Sequence, residues 1–213
     1  MKKVWGSGLI ILLVLVISLI AFAQDEMAPG GFNIEKIKHQ KYLIKQVEDG
    51  KTNEGYLTMD VTPKETDKFD VKIDFKLGEQ EFSNSFTTSK SDSENMFSKL
   101  FFSNPGTMAV IAPVLAVQLL LLPVTLMGGE LKEGFKWSSK EGGEKTTIQV
   151  NLSEERFGKK AYWIEILKND KIAVRMLMAK EGPLPFVVDI QDPEIIGEGQ
   201  KSLYLELKEM TLN

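Results

Sequence analysis

Cysteine is absent from this chain of 213 residues, and histidine occurs once, at His39. Without cysteine there are no disulfides and no thiolate chemistry, so the fold must be held together by its core. One histidine and no cysteine also leave too few of the side chains that zinc and most transition metals require. A Ser-His-Asp triad would need His39, and no serine occurs in a nucleophile-elbow sequence. We therefore expect no metal, no cofactor and no enzymatic activity.

An excess of positive charge is also missing. The chain has 26 Lys and Arg residues against 30 Asp and Glu residues, which gives a net charge of −4. Charges of both signs are mixed along the sequence, with no basic stripe. Binding to nucleic acid requires clustered Lys and Arg that neutralise phosphates. We therefore expect no nucleic-acid partner.

The N-terminal segment has the layout of a secretory signal. Two lysines follow the first methionine, an apolar run extends from Leu9 to Ile20, and Ala21 and Ala23 supply the small residues of a cleavage site. The apolar run is long for such a signal, so an uncleaved N-terminal anchor is the alternative. We predict a cleavable signal peptide over residues 1–23, which places the protein outside the cytoplasm, in the periplasm or cell envelope.

Alternation of apolar and polar residues dominates the rest of the chain. In "FDVKIDFKL", which begins at Phe69, five apolar residues alternate with four charged residues, so that one face of a strand is apolar and the other charged. Such strands are typical of antiparallel sheets. Turn sequences at Asp49-Gly50, Gly142-Gly143, Asn169-Asp170 and Gly182-Pro183 separate further strands. In the first hairpin, the turn is predicted to extend from Asp49-Gly50 to Glu54-Gly55 and the second strand to begin at Tyr56 and end before Pro63. The pattern predicts a mainly β fold (α+β) with about nine or ten antiparallel strands.

One long apolar stretch, "NPGTMAVIAPVLAVQLLLLPVTLMGGE", interrupts this pattern. It follows "SDSENMFSKLFF", residues 91–102, which predicts a short amphipathic helix. The segment that begins at Thr107 and ends at Met127 would be long enough as a helix to cross a membrane. Pro113 and Pro123 predict that this helix is kinked. It is thus a helix that the sheet covers, a transmembrane helix, or an interfacial helix that inserts on contact with lipid.

Topology favours the covered helix. A transmembrane segment would put the strands before and after it on opposite sides of a membrane, each half with an unfilled apolar face. We therefore predict a single domain over residues 24–213 with a helical insertion at about residues 91–128, in which a strongly curved sheet, an open half-barrel, wraps around the apolar helix. Under the sheet this helix would act as a plug or a lid, and in the alternative it would span the membrane. Its apolar residues are Val110, Ile111, Leu115, Leu119, Leu120, Leu122 and Leu126.

The combination of a signal peptide, a strand meander, a helical insertion and a second run of strands resembles the periplasmic half-barrel superfamily of the lipoprotein carriers LolA and LolB, and related envelope proteins. "LKEGFKW", with Gly134 and Trp137, and the hairpin "GKKAYWIEILKNDKIAVRMLMA" followed by "GPLPFVVDI" carry the resemblance. The resemblance implies that the concave face of the sheet holds acyl chains or another apolar ligand, with helices as a lid or plug. The long apolar helix departs from that pattern.

Aromatic residues and methionines in the later strands are the candidates for lining such a cavity, although side chains of this kind also serve as ordinary core. The candidates are Trp137, Tyr162, Trp163, Met176, Met178 and Phe186. We predict a non-enzymatic, exported envelope protein that binds a lipid or another hydrophobic ligand and contacts the membrane. The alternative is a membrane-anchored structural or interaction protein, with the segment from Thr107 to Met127 as its transmembrane helix.

Overall fold

The computed structural model describes residues 34–89, 113, 132–179, 185–196 and 199–213, which form ten strands. The strands of the N-terminal half are β1 (Ile37–Glu48), β2 (Lys51–Glu65), β3 (Lys68–Leu77) and β4 (Gln80–Ser89). Those of the C-terminal half are β5 (Lys136–Glu141), β6 (Glu144–Arg156), β7 (Lys159–Lys168), β8 (Lys171–Ala179), β9 (Val187–Ile190) and β10 (Gln200–Leu212). A 3-10 helix, Ile34–Lys36, precedes β1, and a short helix, α1 (Pro193–Ile196), lies between β9 and β10.

The strands form one antiparallel sheet in the order β4-β3-β2-β1-β10-β9-β8-β7-β6-β5. Each half of the chain is a meander of sequential neighbours, and the two meanders join where the first strand pairs with the last. This pairing runs from Ile37 opposite Leu212 to Glu48 opposite Gln200. Since β4 and β5 stand at the two ends of the order and do not pair with each other, the sheet is open. The prediction of an open antiparallel sheet of nine or ten strands is confirmed.

Residues 90–135 lie between β4 and β5, the strands at opposite ends of the sheet. The predicted amphipathic helix, and the predicted long apolar helix with all its plug residues, fall in this connection and outside the described residues. The predicted signal peptide over residues 1–23 lies outside them as well. Within the described ranges, no helix has both the length and the apolar character needed to cross a membrane.

Strand β3 shows how the sequence pattern becomes a two-faced sheet. Its apolar residues from Phe69 to Leu77 are all buried, and the charged residues between them are half-buried or exposed. The neighbouring strands are in register with it: Leu57 of β2 and Phe82 of β4 lie on either side of Phe75. Burial of the apolar face of β3 and of most other strands stabilises the sheet, because apolar surface removed from water contributes about 25 cal/mol per Å².

The turns follow the predicted chemistry in part. Asn169 and Asp170 both have positive φ, as a two-residue hairpin turn requires, and the Asn169 side chain accepts a hydrogen bond from the Lys145 amide at 3.0 Å. The first hairpin turns at Asp49 and Gly50 alone, so β2 begins at Lys51, earlier than the predicted start near Tyr56.

Pro63 was expected to end the second strand, and that prediction was wrong. β2 continues through Pro63 to Glu65, and Pro63 lies opposite Phe69. The pairing register shifts between Pro63 and Glu65, next to the turn into β3. A proline is tolerated at such an irregularity, where the regular ladder of hydrogen bonds is already interrupted.

Candidate ligand-binding face

One face of the sheet, called here the apolar face, is built from rows of cross-strand neighbours. In an antiparallel sheet, residues directly opposite each other point to the same side, so an apolar row can continue from strand to strand. The central row runs from β6 to β3 and its side chains are all buried apart from a glycine. In strand order its residues are Val150, Ile164, Met176, Val188, Leu205, Ile44, Gly55 and Leu77.

A second apolar row lies beside the first and contains the larger side chains. One segment of this row pairs Tyr162 of β7 with Met178 of β8. The other segment crosses β10, β1, β2, β3 and β4, and its residues in that order are Leu207, Tyr42, Leu57, Phe75 and Phe82. The two rows give the sheet a continuous apolar surface that is several strands wide.

Most of the cavity-lining residues predicted from the sequence lie on the apolar face. Met176 is fully buried in the central row, and Met178 and Tyr162 face each other in the second row. Trp137 lies opposite Ile148 near the end of the sheet and is half-buried against the same core. These residues are therefore brought together on one surface.

Phe186 belongs to the same buried core and precedes β9. Its amide donates to the Leu177 carbonyl and its carbonyl accepts from the Leu207 amide, both at 2.7 Å, so the backbone of Phe186 extends the sheet between β8 and β10. Its ring meets the Phe157 ring edge-on, with centroids 5.6 Å apart. This edge-to-face geometry is the favourable one for aromatic rings and holds Phe186 in place.

Trp163 packs against the same core cluster but lies on the other face of the sheet from Tyr162. It follows Tyr162 directly in β7, and adjacent residues of a strand point to opposite faces. Its indole Nε1 donates to Glu154 Oε2 at 3.1 Å, on the polar side of the sheet. The grouping of Tyr162 and Trp163 in the sequence prediction rested on their shared aromatic chemistry and ignored this alternation.

Two residues of the apolar face, Gln40 and Tyr42, were not predicted from the sequence. They are 2% and 5% exposed, and within the described part of the chain neither Gln40 Oε1 nor the Tyr42 hydroxyl has a hydrogen-bond partner. Burial raises the pKa of the Tyr42 phenol above its usual value of 10.0, so the hydroxyl stays protonated. The sequence "HQKYLIKQ" does indicate the unusual position of Gln40. Gln40, Tyr42 and Ile44 are two residues apart and so lie on the same, apolar face of the strand, where an amide side chain is uncommon.

The opposite, polar face carries a buried carboxylate with a complete set of partners. Glu165 accepts hydrogen bonds from Arg175 at 2.7 and 3.0 Å, from Gln149 at 2.9 Å and from Asn151 at 2.6 Å. Burial disfavours the ionised form, but the hydrogen bonds from Gln149, Arg175 and Asn151 outweigh it and lower the pKa of Glu165. Since its oxygens are already engaged, this cluster stabilises the sheet and offers no open position to a substrate.

A groove of about 350 Å³ lies over β1 to β4. Polar-face residues such as Lys41, Tyr56 and Asp74 line most of it, and Phe75 and Phe82 line the rest. The charges at its rim are paired: Asp74 accepts from Ser83 at 2.6 Å and pairs with Lys72 at 2.8 Å, and Lys41 pairs with Glu209 at 3.0 Å. Because these groups satisfy one another, the groove has little to offer a ligand. The apolar face is the stronger candidate site.

No family model matches this sequence, and no curated protein matches it. Among solved structures, the chain is similar to MucB at a TM-score of 0.39 and 9% identity, over 92% of this chain and 58% of that chain. It is also similar to a β-barrel-like protein of the DUF1849 family from Brucella abortus, at a TM-score of 0.33 and 7% identity, over 85% of this chain and 100% of the other.

A domain from Vibrio parahaemolyticus described as an outer membrane lipoprotein-sorting protein gives a TM-score of 0.27 at 10% identity, over 93% of this chain and 92% of that one. Its description agrees in part with the resemblance drawn from the sequence. Likenesses with such TM-scores carry no argument about function, and the chain spans 58% of the length of the MucB chain. The function is therefore argued from the geometry of the apolar face.

Proposed function

We propose that this protein is a non-enzymatic, exported protein of the cell envelope that binds a lipid or another hydrophobic ligand on the apolar face of its sheet. The observation that carries the proposal is the continuity of this face. Its central row keeps apolar side chains in register from Val150 in β6 to Leu77 in β3, through both meanders.

The energetics support the proposal, because such a face cannot remain in contact with water. Fully burying one large apolar side chain contributes about 1.5–3 kcal/mol, and the two rows contain many such side chains. The described strands belong to one sheet, and the side chains of its central row are buried apart from Gly55. A hydrophobic ligand that shares this burial with the rest of the chain gains the same free energy.

The side chains of the apolar face also suit an adaptable binding surface. Met59, Met176 and Met178 are buried on it, and Met210 is half-buried against the larger core cluster. Thioether side chains have several rotatable bonds and a polarisable sulfur, so they adjust to acyl chains of differing shape. The flexible methionines lie in the N-terminal and the C-terminal meander, which fits a ligand that extends along the sheet.

Native mass spectrometry tests the binding. The protein is expressed from its full sequence in a bacterial host, purified without detergent and examined for co-purified lipid. We expect Met178→Trp, which adds bulk to the apolar face, to lower the bound fraction, and Ile172→Trp at an exposed position to leave it unchanged. Circular dichroism verifies that both variants fold. A wild-type protein that carries no lipid and takes up none on incubation would contradict the proposal.

Export has a separate test. The intact mass of the protein recovered from the periplasmic fraction gives its first residue, and we expect Gln24, after removal of residues 1–23. A protein that remains in the cytoplasm with its first residues intact would refute export, whatever its lipid content.

A further inference from the structure

Two buried polar groups on the apolar face remain unexplained by the fold. Gln40 and Tyr42 lie two residues apart on β1, and Gln40 Oε1 and the Tyr42 hydroxyl are buried without a hydrogen-bond partner in the described ranges. Native proteins rarely leave such atoms unsatisfied, because the lost hydrogen bonds to water are not replaced. Their persistence therefore calls for a partner that the described residues do not include.

The cross-strand neighbours of these residues cannot supply that partner. Gln40 lies between Met59 and Met210, and Tyr42 lies between Leu57 and Leu207. The pair also stands where two parts of the core meet, since Tyr42 belongs to the larger cluster of buried side chains and Met59 to the smaller. The two groups thus form a small polar spot in the middle of an apolar surface.

The lack of buried charge around Gln40 and Tyr42 in the described part of the chain limits which ligand groups can bind there. Among the described residues, the buried polar or charged side chains are Gln40, Gln46, Thr88, Thr147 and Glu165, of which Glu165 is charged. Glu165 and its partner Arg175 lie on the polar face. A phosphate or an ionised carboxylate beside Tyr42 would have no buried counter-charge, and burying an unpaired charge is strongly unfavourable.

We propose that Gln40 and Tyr42 bind the uncharged polar head of an amphiphilic ligand, such as a hydroxyl or ester group, while its acyl chain lies along the apolar face. The Tyr42 hydroxyl donates to an oxygen of this head. The Gln40 amide makes the second hydrogen bond, and it can accept or donate because the amide can be turned over. This inference rests on the proposed function, since it names the class of ligand for the same face.

Two lipids that differ only in a phosphate test the head-group selectivity. Monopalmitoylglycerol and palmitoyl lysophosphatidic acid share the glycerol and the acyl chain, and their binding to the full-length expressed protein is measured by isothermal titration below the concentration at which each forms micelles. We expect monopalmitoylglycerol to bind at least about tenfold more tightly, because its head carries no charge.

Removal of a single hydroxyl then tests the role of Tyr42. Tyr42→Phe should weaken the binding of monopalmitoylglycerol about tenfold, the loss expected for one hydrogen bond in a buried site. The same change should not lower the melting temperature of the free protein, because the hydroxyl has no partner there. Tyr56→Phe is the matched control, since Tyr56 lies on the opposite face of the neighbouring strand.

The outcomes separate this inference from the proposed function. Equal binding of both lipids, or tighter binding of the phosphate-bearing lipid, would overturn the head-group inference and leave lipid binding on the apolar face intact. Binding of neither lipid would overturn both. If Tyr42→Phe lowers the melting temperature and leaves binding unchanged, the hydroxyl has a structural role and the assignment of Tyr42 is wrong.

Discussion

Arg156 and Glu206 are fifty positions apart in the sequence, and the guanidinium Nη2 of Arg156 donates to Glu206 Oε1 at 2.5 Å. Arg156 ends β6 and Glu206 lies in β10, with β7, β8 and β9 between them in the strand order. The end of the β6–β7 hairpin must therefore bend across the polar side of the sheet. The shift of register between Val150 and Ser153 gives the strand this bend.

Acid should lower the free energy of unfolding, because it protonates Glu206. Burial disfavours its ionised form, but hydrogen bonds from Lys208, Arg156 and Tyr204 outweigh that effect and lower its pKa from 4.5 to about 2. A carboxylate with a lowered pKa stabilises the fold above about pH 5, and this contribution, on the order of 3 kcal/mol for a side chain 15% exposed, is lost as the pH falls towards 2. Glu206→Gln should therefore show a smaller loss of unfolding free energy between pH 5 and 2.

Urea unfolding at a series of pH values measures this difference, and Glu81→Gln, in an exposed pair with Lys76, is the control. If Glu206→Gln loses as much stability in acid as the wild-type protein, the ion pair does not act as described.

The buried carboxylate of Glu165 should contribute more to the free energy of unfolding than an exposed ion pair does. Glu165→Leu removes the acceptor of hydrogen bonds from Gln149, Asn151 and Arg175, and leaves these donors unsatisfied. We expect the free energy of unfolding to fall by about 2 kcal/mol. Asp170→Asn, in the exposed pair with Lys145, should change it by less than about 0.5 kcal/mol. Equal effects of the two changes in chemical denaturation would contradict this ranking.

Gly55 is required by the close approach of two strands. A Cβ at this position would lie 1.8 Å from the Lys76 carbonyl oxygen and 2.8 Å from the Leu77 Cα, and backbone atoms cannot move aside as a side chain can. We expect Gly55→Ala to destabilise the protein by more than about 3 kcal/mol or to prevent folding. Gly50→Ala meets no atom within 4 Å and strains only the positive φ of 77°, so it should cost about 1 kcal/mol. Similar melting temperatures for the two variants would refute the steric argument.

Met176 lies at the centre of the apolar face and is fully buried. Met176→Ala should lower the free energy of unfolding by about 2–5 kcal/mol, because it removes buried methylene groups and leaves a cavity. Ile172→Ala, on the same strand but 38% exposed, should cost less than about 1 kcal/mol. Thermal unfolding by calorimetry measures both, and a larger loss at Ile172 would show that the apolar face is not the core.

The local parts of the fold could be read from the sequence, since β3 and the Asn169-Asp170 turn follow from alternation and turn chemistry alone. The pairing of β1 with β10 could not, because nothing in the sequence near Ile37 identifies a partner at Leu212. Register between distant strands is set by the packing of whole faces, and that depends on the three-dimensional arrangement.

The candidate site was predicted in part for a related reason. Met176 and Met178 were identified by their spacing, which places both on one face. Tyr42 was missed because its importance comes from an unsatisfied hydroxyl, which becomes visible only when its neighbours Leu57 and Leu207 are known. Trp163 was included because aromatic character alone does not reveal the direction of a side chain.

The pairing of β1 with β10 also constrains the order in which the chain can fold. β10 is the last of the described strands in sequence order, yet it stands in the interior of the sheet, between β1 and β9. Contacts between such distant parts of a chain form slowly, because a long loop must close before they do. The two meanders cannot join until β10 has been synthesised, so β1 must wait for a partner strand that is made more than 150 residues after it.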